Sequence, residues 1–184
     1  ELESVMNEAA IATAKVNKKT ITQAALFEAV EKVMMGPEKR SAKHLEEEKK
    51  ITAYHEVGHA LISHEIPECD PVHKISIVAR GMSLGSTWYL PDEERRMYSK
   101  AKFLAEVCSL LGGRLGEEIK FGKDKITTGA SNDFQRATSI ARRMVMEYGM
   151  SPLGPIVFGE DGGGAYTGAD FGSQKNYSEE TAQK

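Results

Sequence analysis

The sequence predicts a mainly α-helical domain with a small β-sheet, an α+β fold. Apolar residues recur at three- and four-residue spacing over most of the chain, the periodicity of amphipathic helices. Only one short region, around Arg80 and Gly81, alternates apolar and polar residues in the manner of strands. Helix punctuation agrees with both readings: Thr22 stands at an N-cap position, Pro67 stops a helix, and Gly149 ends one. With 40% hydrophobic and 28% charged residues in 184, the composition is that of a globular chain rather than a disordered one. A formal net charge of -3 without a long basic block argues against nucleic acid as a partner.

The elements follow in order. In "LESVMNEAAIATAKV", Leu2, Val5, Met6, Ala9 and Ala12 share helical spacing, and a second helix begins after Thr22 with Leu26, Phe27, Val30 and Val33 on one face. This helical pair ends at Gly36-Pro37. The following "PEKRSAKHLEEEKK" is charged and almost free of apolar residues, which reads as a linker over 37–50 or a solvated helix start. From Ile51 a compact domain is expected: a helix to about Glu65, two short strands in "KISIVARGMSLGSTWYL", a helix from Ser99 through "LLGGRLGEEI", and another from about Asn132 to Tyr148. The Gly-rich run containing Gly162, Gly163 and Gly164 has no strand before it of the kind a nucleotide loop requires, so it reads as a surface loop. Ser178 opens a last short helix. Cys69 and Cys108, the only cysteines, are too few for a disulfide framework or a four-cysteine zinc site. No apolar run approaches the ~18 residues of a membrane span.

The chemistry concentrates in "YHEVGHALISH". At about 100° per residue, His59 lies about 40° around the helix from His55, and Glu56 about 60° beyond His59. Two neutral imidazoles on successive turns can give two nitrogens to a tetrahedral Zn²⁺, while the adjacent carboxylate reaches a water on the metal without being a ligand. The opposite face, with Tyr54, Val57, Ala60 and Leu61, is expected to pack. A glycine inside a helix costs about 1 kcal/mol relative to alanine, so Gly58 marks a close approach by another segment. Gly112, Gly113 and Gly116 carry the same implication in the Ser99 helix. The plainer reading, a polar corner of a buried helix, is weakened by composition: five histidines in 184 residues make a chance His-Glu-x-x-His improbable. His64 and His73 read as surface histidines.

A catalytic zinc site uses three protein ligands and keeps a fourth position open. Three acids compete for the third place. Asp133 shares a helix side with Ala137, Ile140, Ala141 and Met144, and so points toward the core, where a carboxylate needs a partner. Its plain alternative is an acid interacting with the helix dipole. Glu117 and Glu118 are the other candidates, although paired glutamates near a helix end are usually solvated.

Taken in order, "TAYHEVGHAL", "KISIVARGMSLGSTWYLP", "LLGGRLGEEIKFG" and "TTGASNDFQRAT" resemble the proteolytic domain of FtsH-type membrane-anchored, ATP-dependent zinc metalloproteases, over about Ile51 to Gly159. The resemblance implies one zinc per chain held by His55, His59 and Asp133, with Glu56 as catalytic base. It also implies that residues 1–36 resemble the last helices of an ATPase lid and that 51–184 form a zinc metalloprotease domain, C-terminally incomplete. Val57 departs from the family's more frequent Ala, a change expected to alter packing only. No Gly-x-x-x-x-Gly-Lys-Ser/Thr loop is present, so ATP and Mg²⁺ belong to another part of the implied parent protein. Further implications are a homo-hexamer, membrane attachment through other segments, and a protease domain facing the cytoplasm, or the matrix or stroma of an organelle. Unfolded polypeptides are the expected substrates, docking along the edge strand at Ser83, Leu84, Gly85, Ser86 and Thr87 by backbone hydrogen bonds. The contrasting expectation is an internally paired strand, and the contrasting function a catalytically silent scaffold of the same fold.

Overall fold

Two antiparallel helices carry the site: α3, Glu46–Glu65, and α4, Lys100–Phe121. A computed structural model describes residues 1–39, 45–81, 83–90, 97–158 and 177–182. The glycines explain how closely α3 and α4 approach. A β-carbon at Gly58 would lie 2.2 Å from the Gly112 carbonyl oxygen, one at Gly112 would lie 2.6 Å from the Gly58 oxygen, and one at Gly116 would lie 2.4 Å from the Tyr54 oxygen. Any larger residue at these positions would push the helices apart. The expectation drawn from the interior glycines is met.

Helix α3 begins at Glu46, inside the stretch read as a linker, because Glu46, Glu47 and Glu48 occupy the first turn, where the helix dipole favours acids. Its outer face departs from expectation. Ala60 is buried, but Val57 is 49% and Leu61 57% exposed, and Tyr54 also reaches solvent. The face opposite the histidines is therefore only partly packed among the described residues, with Tyr54 edge-on to Phe121 and Val57 contributing little to the core.

The N-terminal pair comprises α1, Leu2–Lys15, and α2, Gln23–Met35. The Thr22 hydroxyl caps α2 by accepting from the Ala25 amide. The seam between the two helices buries small residues, Ala9 and Ala29, whereas Phe27 and Val33 of the expected apolar face remain exposed. Glu31 ties α2 to the strand region by ion pairs with Lys74 and, at 3.0 Å, with Arg80.

Strands β1, Val72–Ser76, and β2, Ser86–Tyr89, pair antiparallel, with Ile75 opposite Thr87 and Ser76 opposite Ser86. A tight turn does lie at Arg80-Gly81, closed by reciprocal Arg80 and Ser83 backbone hydrogen bonds. It precedes β2 by several residues, so Ser83, Leu84 and Gly85 stand before the strand rather than in it. β2 is internally paired along one edge by β1, and among the described residues no third strand covers the other.

Helix α5, Ser131–Met146, packs on α4 and buries Ala137 and Met144. Gly149, at φ 60°, lies just past its end. The short α6, Glu179–Ala182, starts at Ser178, whose hydroxyl accepts from the Thr181 amide. Gly162, Gly163 and Gly164 lie outside the described residues.

Candidate metal and catalytic site

Two helices bring the predicted metal-binding groups together. His55 and His59 project from successive turns of α3, and Asp133 comes from the first turn of α5. Their ligand atoms lie close: His55 Nε2 to His59 Nε2 is 3.0 Å, His55 Nε2 to Asp133 Oδ2 3.3 Å, and His59 Nε2 to Asp133 Oδ2 3.5 Å. Donors bound at 2.0–2.1 Å to one tetrahedral ion lie about 3.3 Å apart. The donor set of two imidazole nitrogens and one carboxylate oxygen therefore fits zinc in both chemistry and spacing.

The outer nitrogens of both rings are held. His55 Nδ1 lies 2.7 Å from Glu117 Oε1, and His59 Nδ1 lies 2.8 Å from the Ser109 carbonyl oxygen. Both partners are acceptors, so each imidazole carries its proton on Nδ1 and turns a lone pair on Nε2 toward Asp133. Glu117 is 1% exposed and also accepts from the amide and hydroxyl of Thr127, through Oε2 at 2.8 and 3.0 Å. Thr127 leads through the turn Thr128–Ala130 directly into α5. One buried carboxylate thus orients a histidine and anchors the segment that delivers Asp133. Of the two alternatives for the third ligand, Glu117 sits on the wrong side of the His55 ring, and Glu118 is turned away toward Lys123. His64 and His73 are exposed, as expected.

Gly113 has a role beyond helix packing. A β-carbon there would lie 2.4 Å from His59 Nε2 and 2.6 Å from His55 Nε2, in collision with both metal-binding nitrogens. Gly113→Ala is expected to weaken zinc binding by tenfold to a hundredfold, the roughly 1–3 kcal/mol of an overpacked site. A zinc titration of the variant beside wild type, with a melting curve for each, checks it.

Burial lowers the proton affinity of His55, but the Asp133 and Glu117 carboxylates, which accept hydrogen bonds from the ring once it is protonated on both nitrogens, outweigh that effect, and its pKa is raised. Burial would raise the Asp133 pKa, yet the bonds to His55 and His59 hold it well below the usual carboxylate range. Ligation requires neutral His55. As pH falls through its raised pKa, protons compete with metal, so zinc affinity is expected to decrease on acidification, which titrations at pH 7.5 and about pH 5.5 would measure.

Glu56 lies beside the metal-binding pair and is 7% exposed. Burial pushes its pKa up, and the Thr87 hydroxyl and the two histidines only partly offset the shift. A carboxyl raised in this way is better matched to proton transfer near neutral pH. Ser83, Leu84, Gly85, Ser86 and Thr87 all line one wall of the cleft of about 1050 Å³ that contains Glu56 and the three metal-binding groups. Thr87 is closest in function: its Oγ1 lies 2.8 Å from Glu56 Oε2.

Residues 42–184 match Peptidase family M41. The chain is 49% identical over 183 residues to the ATP-dependent zinc metalloprotease FtsH 1 of Sphaerobacter thermophilus, covering 99% of the chain and 28% of that protein. It is 48% identical over 185 residues to FtsH of Veillonella parvula, with 100% and 28% coverage. FtsH 3 of Synechocystis is 44% identical over 186 residues, with 99% and 30% coverage. The chain thus spans less than a third of the length of these relatives.

Proposed function

The chain belongs to peptidase family M41, and from that premise we propose that it is the proteolytic module of an ATP-dependent zinc metalloprotease, an HExxH-type endopeptidase acting on unfolded or misassembled polypeptides. The observation that carries this reading is the triangle of His55 Nε2, His59 Nε2 and Asp133 Oδ2 at 3.0–3.5 Å, with Glu56 beside it. In the proposed reaction, His55, His59 and Asp133 hold one zinc, and Glu117 and the Ser109 carbonyl fix the two rings. Bound zinc supplies a Lewis acid that polarises the peptide carbonyl and makes water acidic enough to deprotonate near pH 7. Glu56 takes a proton from the attacking water on a carboxylate oxygen and returns it to the leaving amine. The segment Ser83–Thr87 aligns the extended peptide along the cleft by backbone hydrogen bonds. Intact Glu56 beside the three metal-binding groups favours an enzyme over a silent scaffold.

Residues 1–36 are proposed to be the end of an ATPase lid, 37–50 a connecting segment, and 51–184 the protease domain. The relatives are named as ATP-dependent, which supports a longer parent chain, and ATP with Mg²⁺ is proposed to act in another part of it. The proposed parent is a membrane-anchored homo-hexamer with its protease ring on the cytoplasmic side, or on the matrix or stromal side in an organelle. Among the described residues no helix is long and apolar enough to cross a membrane. Opening a folded substrate means overcoming roughly 5–15 kcal/mol of stability, whereas cutting an extended chain needs only the site. The zinc-loaded chain is therefore expected to cleave an unfolded polypeptide without ATP and to leave a stable folded domain intact. Incubation with each substrate, with and without ATP, tests this. ATP-stimulated digestion of the folded domain would contradict the division of labour, and a folded, zinc-loaded chain inert toward both would favour the scaffold.

A further inference from the structure

The carboxylate of Glu56 is seated by two residues from the opposite wall of the cleft. Gly85 lies so close that a β-carbon there would be 2.8 Å from Glu56 Oε1 and 2.6 Å from Thr52 Cγ2. Only a residue without a side chain lets this segment pack so closely on the Glu56 carboxylate. The Thr87 hydroxyl lies 2.8 Å from Oε2 and, at the same time, 3.0 Å from the backbone carbonyl oxygen of Glu56. A hydroxyl has one proton to donate and lone pairs to accept with, so it serves one of these acceptors at a time. The ionised carboxylate is the stronger acceptor.

We propose that Thr87 is the positioning residue of the general base, its hydroxyl holding Oε2 of the ionised Glu56 carboxylate so that Oε1 exchanges the proton with water and leaving amine. While Glu56 is ionised, Thr87 Oγ1–H donates to Oε2. When Oε1 takes the proton from water, the negative charge on the carboxylate disappears and the pull on the Thr87 proton weakens. The hydroxyl can then turn to the Glu56 carbonyl oxygen without moving its own oxygen, and it returns when the proton leaves for the amine. Thr87 neither gains nor loses a proton over the cycle. The side chain thus acts on the base. This inference rests on the assignment of Glu56 as base.

Thr87→Val keeps the shape and β-branching of the side chain and removes the hydroxyl. The expected result is a fall in kcat for an unfolded peptide of about tenfold to a hundredfold, the size of a lost hydrogen bond to a charged group, with KM, zinc content and melting temperature unchanged. Thr87→Ser restores the hydroxyl and is expected to recover most of the rate. In a Glu56→Gln background the same Val substitution should cost less than threefold, because two groups acting through one another are not additive. A crystal structure of zinc-loaded Thr87→Val should show the Glu56 carboxylate rotated from its wild-type position, a readout independent of turnover. Equal rates for wild type and Val variant, a loss confined to KM, or failure of Ser to rescue would overturn the proposal. If Glu56→Gln itself cleaves normally, it is the assignment of the base that fails, and the unchanged or rotated carboxylate in the crystal still decides what Thr87 holds.

Discussion

Glu56→Gln is expected to bind zinc as tightly as wild type and to lose peptide cleavage by about 10²–10⁴-fold, the usual contribution of a positioned general base. The amide keeps the size of the side chain and can still meet the Thr87 hydroxyl, but it cannot take a proton from water. Glu56 contributes no atom to the triangle of His55, His59 and Asp133, so metal content should not follow the activity down. Peptide hydrolysis and metal analysis on the same preparation give the result directly. Parallel loss of zinc and activity would make Glu56 a ligand or a structural residue.

Asp133→Ala is expected to lower zinc affinity by at least a hundredfold, since it removes one of three donors and leaves the His pair with an incomplete coordination shell. The two glutamates of α4 give the control. Glu117→Gln should cost about 10–100-fold, the usual effect of a group that orients a ligand, because it weakens the acceptor for His55 Nδ1 and the anchor of Thr127. Glu118→Ala should leave affinity unchanged, as its side chain is directed to Lys123 at 3.6 Å. Competition with a chromogenic chelator measures all three. An order in which a glutamate variant loses more than Asp133→Ala would contradict the assignment of the third ligand.

Much of the site was legible because its signals are local. The His55 and His59 facing follows from helical geometry alone, Gly58 and Gly112 announced a close helix contact, and the Thr22 cap starts its helix as its chemistry directs. Asp133 was singled out from its position on the inner side of its helix, although spacing left Glu117 and Glu118 open as alternatives. Glu117 could not be placed from spacing because its role depends on a contact with His55 across 62 positions. Two adjacent glutamates near a helix end look equally solvated in sequence, and only the packing of α4 on α3 buries one of them. The exposed Val57 and Leu61 show the reverse error. Apolar periodicity identifies a face that could be buried, but what covers that face lies elsewhere in sequence or assembly. Alternation identifies the strand but overstates its length, since the turn at Gly81 is followed by Ser83, Leu84 and Gly85 before pairing with β1 begins. That irregular segment also lets Gly85 approach Glu56, a contact with no sequence signature beyond the glycine itself.

The most direct test is a zinc titration of the metal-stripped chain, following cleavage of an unfolded peptide and zinc bound in the same samples. Cleavage should be absent in the stripped protein, rise in proportion to bound zinc and reach its plateau at one zinc per chain. Undiminished cleavage after metal removal, or a folded chain that binds one zinc and cleaves nothing, would contradict the account.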